Sequence, residues 1–93
     1  MRMIDLSKAI RKDFKRIKAN PRHTDLDQVL GDVTDLLIED MPLPQHYRDH
    51  ALVGNWKNYR ECHIKPDLLL VYKFIDMDIL HLARLGSHSE LFK

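Results

Sequence analysis

The segment Asp49-His50-Ala51-Leu52-Val53-Gly54-Asn55-Trp56-Lys57-Asn58-Tyr59-Arg60-Glu61-Cys62-His63-Ile64-Lys65-Pro66-Asp67-Leu68-Leu69-Leu70-Val71-Tyr72 decides the fold. The hydrophobic period changes within it. From Trp56 to His63 the residues alternate without a helical stripe, which predicts a strand. Lys65-Pro66 is turn chemistry, because the proline ring presets the backbone for the second position of a turn. Leu68 to Phe74 is apolar on both parities, so it predicts a central strand covered on both faces. Asp76-Met77-Asp78 makes a second turn. Ile79, His81, Ala83 and Leu85 then alternate with Leu80, Leu82 and Arg84 in a further strand. The tail after Gly86 has room for one helical turn at most.

Upstream of this segment the spacing is helical. Leu6, Ile10, Phe14 and Ile17 recur every three to four residues and form one apolar stripe, predicting a helix from Ser7 to about Ala19. Ser7 suits the N-cap, since its hydroxyl can accept from a free N–H of the first turn. Asn20-Pro21 stops the helix, because Pro21 disfavours helical geometry at Asn20. A second helix is expected from Thr24, with Asp27 completing a capping-box-like start. Leu26, Val29, Leu30, Val33, Leu36 and Leu37 give it a wide stripe. Gly31 within it costs about 1 kcal/mol relative to Ala and is expected to let the two helices pack closely. Met41-Pro42-Leu43-Pro44 ends the pair, read as an antiparallel hairpin. Met1 to Leu6 is a short strand candidate. The order is β-α-α-β-β-β: one α+β domain spanning residues 1–93, with two N-terminal helices on a mainly antiparallel sheet.

A chain of 93 residues makes a single domain with a modest core. Charged residues are 31% and apolar residues 44%, ordinary for a soluble globular protein. No apolar run approaches the roughly 20 residues of a membrane span, and the charged N-terminus is unlike a secretory signal. The lone Cys62 excludes an internal disulfide framework and fits a reducing cytoplasm. The net charge of +1 hides a segregation. Residues 1–22 hold eight Lys and Arg against Asp5 and Asp13, while residues 23–40 hold six acids and no Lys or Arg. Two helices that attract one another explain this pattern. So does a basic helix that meets a polyanion or an acidic partner.

Six histidines in such a chain is a high number. His50, His63 and His88 fall at expected strand ends or turns, where side chains can converge on one edge of a sheet. A histidine pair can serve as general base and general acid near neutral pH. Asp67, four residues beyond His63 across a turn, can orient a ring. Arg60 is a natural clamp for a phosphate that gathers charge, and Lys57, Lys65 and Arg84 add cations for an RNA backbone. Phe92 and Trp56 offer faces on which a base can stack, although Trp56 and Tyr72 read first as core. That set suits cleavage of RNA through its own 2′-hydroxyl, with no metal and no protein nucleophile. His23, His46 and His81 read as structural or surface residues. A metal site from His50, His63, Asp67 and His88 is chemically possible, but no tight ligand spacing supports it.

Asp49-His50, Gly54-x-Trp56-Lys57-x-Tyr59-Arg60, His63-x-x-Pro66-Asp67-x-x-Leu70-x-Tyr72 and Gly86-x-His88-x-x-Leu91-Phe92 resemble the YafQ branch of the RelE-like toxins. These are toxin halves of bacterial type II toxin–antitoxin modules. The resemblance implies a ribosome-dependent mRNA endoribonuclease that cuts in the A site and inhibits translation. It also implies a cognate antitoxin protein, and mRNA and the ribosome as partners, in the cytoplasm with no membrane. Carried over by position, it implies His50, His63, Asp67, His88 and Phe92 as the catalytic set. RelE itself relies more on Lys and Arg than on histidines, so the roles are assigned from the residues: His88 as general acid and His50 as general base, or the reverse, with His63 and Asp67 positioning the phosphate and Arg60 stabilising its charge. Two other classes stay open: a catalytically silent RNA- or protein-binding module of the same fold, and a metal-dependent nuclease.

Overall fold

The computed structural model describes residues 2–92. Strand β1 (Met3–Leu6) leads into helix α1 (Lys8–Lys18), and helix α2 (Leu26–Ile38) follows a short 3₁₀ turn at Pro21–His23. Strands β2 (His50–Ala51), β3 (Arg60–Lys65), β4 (Leu68–Phe74) and β5 (Ile79–Gly86) come next, and the one-turn helix α3 (His88–Leu91) ends the chain. The sheet order is β1-β5-β4-β3-β2. β1 runs parallel to β5, and the other neighbours are antiparallel. The expected order therefore holds, with β2 added at the edge and α3 at the tail. Among the described residues no helix is long and apolar enough to cross a membrane.

Both faces of the sheet are covered, unequally. Ile10 and Ile17 of α1 and Leu26, Val33 and Leu37 of α2 pack on Cys62, Leu70, Tyr72, Leu80 and Leu82. On the other face Leu69, Val71, Ala83 and Leu91 form a smaller core, closed by Leu52, Trp56, Tyr59 and Phe92. This double covering is why β4 is apolar on both parities. Phe92 and Trp56 thus belong to the second core, with their rings 6.1 Å apart and edge-to-face.

Local chemistry sets the boundaries. Ser7 caps α1 through its hydroxyl, which accepts from the N–H of Ile10 at 2.9 Å. The capping box expected at Thr24 and Asp27 does not form. The helix starts two residues later, and Asp25 before it makes no side-chain cap. Asp25 is held instead by Lys65 at 2.6 Å, which draws its carboxylate away from the helix end. The strand expected from Trp56 begins only at Arg60, because Gly54–Trp56 is a 3₁₀ turn with Gly54 at φ 68°. Gly31 meets nothing close to the place of a Cβ, so it serves no tight approach. The two helices pack on the sheet and leave an apolar groove lined by Leu6, Ile10, Phe14, Leu30 and Leu82. The alternation of β5 breaks where the β4–β5 register slips between Val71 and Tyr72. Beyond the slip Leu85 joins Leu80 and Leu82 in the helix-side core. Two α1-side groups satisfy the backbone there: Ser7 Oγ donates to the Ala83 carbonyl at 2.6 Å, and the Leu85 N–H donates to Asp13 at 3.0 Å.

Candidate active site

Strand pairing draws the distant histidines together. In register, His63 on β3 faces Leu69 on β4, and Leu69 faces Gly86 on β5. His88 lies two residues beyond Gly86, at the start of α3. A cleft of about 360 Å³ results, lined by His63, Pro66, Asp67, Leu69, Ser87, His88 and Ser89. Ser87 caps α3 through its hydroxyl, and Glu90 returns a bond to the Ser87 N–H at 2.9 Å, completing a capping box. That backbone N–H holds the Glu90 carboxyl below the usual carboxylate range, with the Ser87 hydroxyl and Arg16 adding to the effect. Arg16 of α1 also grips Glu90 at 2.7 Å. His88 is therefore fixed at its backbone and exposed at its ring, which lies 5.2 Å from that of Phe92.

On the other side of the cleft, His63 Nδ1 lies 3.5 Å from the Pro66 carbonyl. A carbonyl only accepts, so Nδ1 is the donor of any bond there, and Nε2 has no partner among the described residues. Asp67 of the same turn is paired with Arg22 at 3.1 Å. Lys65 pins the turn from behind. Its ammonium donates to the Arg22 carbonyl at 3.1 Å and to His23 Nδ1 at 3.2 Å, as well as to Asp25.

His50 sits further along the same face. It pairs with Glu61, two residues before His63 and so about 7 Å along the strand. His50 Nδ1 lies 2.9 Å from the Arg48 carbonyl, and Nε2 lies 3.0 Å from Glu61 Oε1. Both ring nitrogens of His50 therefore face acceptors. Glu61 is buried, and its second oxygen has no hydrogen-bond partner among the described residues. Sequence reading passed over Glu61. The only sequence signal for it is its place on the His63 face, two residues away.

The cations expected at the phosphate are mostly engaged elsewhere. Arg60 projects to the helix side and forms a two-pronged pair with Asp49, at 3.0 and 3.3 Å. This bond raises the Arg60 pKa. Asp49 also accepts from the Tyr72 hydroxyl; burial, then that bond, pushes the Tyr72 pKa up. Arg84 likewise faces α1, with Nε 2.8 Å from the buried Asp13. Lys65 is held as described above. Lys57 alone of the four stays exposed with no ion pair among the described residues. His81 lies at the far end of β5 and pairs with Asp5 at 2.6 Å, away from the cleft. Cys62 is fully buried on the helix side, and burial pushes its thiol up to about 12, which leaves it no role as a nucleophile.

Helices packed on a five-stranded, mainly antiparallel sheet make the α+β arrangement of a RelE-like toxin fold. Residues 2–93 match the family described as "Bacterial toxin of type II toxin-antitoxin system, YafQ". The mRNA interferase toxin YafQ of Escherichia coli (strain K12) is 41% identical over 91 residues, which cover 98% of this chain and 96% of that protein. In structure the chain is similar to a copper-bound mutant toxin from Helicobacter pylori, with TM-score 0.90, 49% identity, and coverage of 99% of this chain and 100% of that one. It is also similar to a chain of the E. coli DinJ–YafQ complex, with TM-score 0.85, 39% identity and full coverage of both. The chain belongs to the YafQ family of toxins of bacterial type II toxin–antitoxin systems.

Proposed function

We propose that this protein is an mRNA endoribonuclease that acts on mRNA in the ribosomal A site and so inhibits translation. One observation carries the reading: His63, Asp67 and His88 line a single open cleft, with the Phe92 ring against His88. Support also comes from the E. coli relative named as an mRNA interferase.

The geometry suggests a division of labour. His63, with its free Nε2, takes the proton from the 2′-hydroxyl. The 2′-oxygen attacks the adjacent phosphorus, and the bond to the 5′-oxygen breaks. His88 protonates that departing oxygen. The products are a 2′,3′-cyclic phosphate and a 5′-hydroxyl. His50, held between the Arg48 carbonyl and Glu61, lies along the strand from His63. Asp67 keeps the turn and Arg22 in place beside it. Phe92 provides a face for a base. This arrangement moves the base from His50, the sequence expectation, to His63, because the ring nitrogens of His50 both face acceptors.

The function includes a cognate antitoxin. The DinJ–YafQ complex is one such assembly, and this chain would bind an antitoxin of its own in the cytoplasm. A metal-dependent step is the weaker reading. Two H. pylori neighbours are described as copper-bound and metal-bound. In this chain, however, no group of three or more His, Cys, Asp and Glu among the described residues could hold a metal ion. The direct test is an mRNA with one 2′-deoxynucleotide at the cleavage position, assayed in EDTA. Loss of cutting at that site alone, with cyclic phosphate ends on the parent RNA, is expected. Cutting of the deoxy site, or activity abolished by EDTA, would overturn the proposed chemistry.

A further inference from the structure

With Arg60, Arg84 and Lys65 tied to carboxylates, the cleft needs another source of positive charge for the strand it holds. A second cavity of about 320 Å³ lies on the opposite side of the β3–β4 turn, lined by His46, Arg48, His63, Ile64, Lys65 and Pro66. It shares His63 and Pro66 with the cleft, so the two cavities adjoin at the turn, with His88 on one side and Arg48 on the other. Arg48 is exposed and makes no ion pair among the described residues. The nearby carboxylates do not compete for it: Asp49 is engaged by Arg60 and Tyr72, and Asp25 by Lys65.

Arg48 also sits in an unfavourable backbone conformation, at φ 50° and ψ 43°. A residue with a Cβ gives up about 1 kcal/mol there, where Gly or Asn would sit more easily. The turn accounts for the conformation. The Arg48 N–H closes the 3₁₀ turn on the Gln45 carbonyl at 3.0 Å, and the Arg48 carbonyl meets His50 Nδ1. Nothing within the fold accounts for a guanidinium at this point. His46, two residues earlier, is exposed, with its ring centroid 4.1 Å from that of Tyr47.

We propose that Arg48 and His46 form a second phosphate subsite, which takes the RNA phosphate next to the one being cleaved. The inference rests on the ribonuclease reading and adds a substrate contact to it. A planar guanidinium suits two phosphate oxygens at once, and the imidazole supplies a further donor. Ile64 and Pro66 give this cavity an apolar wall for the intervening ribose. Holding the strand on both sides of His63 fixes the 2′-oxygen against the scissile phosphorus, which is where orientation contributes most to the rate.

The test uses uncleavable 2′-O-methyl oligonucleotides on the whole protein: a dinucleotide with one phosphate and a trinucleotide with two. Arg48→Asn removes the guanidinium and keeps a residue at ease in the left-handed region. Wild type is expected to bind the trinucleotide about tenfold more tightly than the dinucleotide, the scale of a charge-assisted contact. In Arg48→Asn the ratio should fall to within about twofold, and the log–log salt slope for the trinucleotide should flatten by about 0.7. Dinucleotide affinity should not change. Arg48→Gly repeats the test should the Asn variant misfold, and His46→Gln should show a smaller loss of the same kind. Variants that keep the full trinucleotide advantage and salt slope overturn the subsite. Failure of wild type to bind the dinucleotide would instead sink the ribonuclease reading beneath it.

Discussion

Arg84, Arg60 and Lys65 show why single residues in this chain resist assignment by type. Each reads as a phosphate ligand, yet each is bound to a carboxylate 71, 11 or 40 positions away: Asp13, Asp49 and Asp25. No local pattern announces those partners. The histidines were more legible, because a histidine at a strand end beside a turn carries its chemistry wherever the strand pairs. His63→Ala and His88→Ala should each lower cleavage by about 10² or more, measured as single-turnover rates on programmed ribosomes. His81→Ala should leave those rates nearly unchanged, since its partner is Asp5 at the far edge of the sheet. A comparable loss in His81→Ala would mean that the cleft has been misplaced. Asp13→Ala acts on stability. It strips a buried carboxylate from Arg84, Arg16 and the Leu85 N–H, and urea denaturation should record a loss of about 3 kcal/mol.

The elements differ in how much they owe to nearby sequence. α1 and β4 were legible because period and capping act within a few residues: Ser7 does cap α1, and the double-parity run does lie at the centre of the sheet. The start of α2 was not, because Lys65 from a distant turn claims Asp25. Nor was the phase of Leu85, which depends on a slip against β4. α3 is the element on which the site most depends, and its stability should vary with pH. The Glu90 carboxyl is held low in the folded state by the Ser87 N–H. Its contribution is therefore present above the pKa of an unfolded glutamate and is lost as pH falls through the depressed folded value. Glu90→Gln should reduce stability near neutrality by about 0.5 kcal/mol after solvent screening, a difference that vanishes in acid once the folded-state carboxyl is protonated. A deficit that persists unchanged in acid would place the effect in packing, not in the carboxylate.

Across the whole molecule, the segregated charge is only partly used in holding the protein together. Lys18 pairs with Asp27 and Arg16 with Glu90, while Lys8, Arg11, Lys12 and Lys15 make no ion pair among the described residues. α1 therefore keeps a cationic outer surface on the side of the sheet away from the second core. One pair, Lys18 with Asp27, joins the two helices, and the remaining basic face of α1 is free to meet a partner. Ribosome association should weaken steeply between about 50 and 200 mM salt. Substituting Lys8, Arg11 and Lys12 together should flatten that dependence without altering cleavage at saturating ribosome concentration. Sedimentation of the protein with ribosomes over a salt series measures the first effect, and single-turnover cleavage the second. The most direct measurement of the central claim is cleavage of a defined mRNA by purified protein, with and without programmed ribosomes, in EDTA, with the 5′ ends mapped. The account predicts cuts within codons only in the ribosome tube, leaving 5′-hydroxyl ends, and none with His88→Ala. Folded protein that cuts nothing in either tube, or His88→Ala protein that cuts as well as wild type, would contradict it.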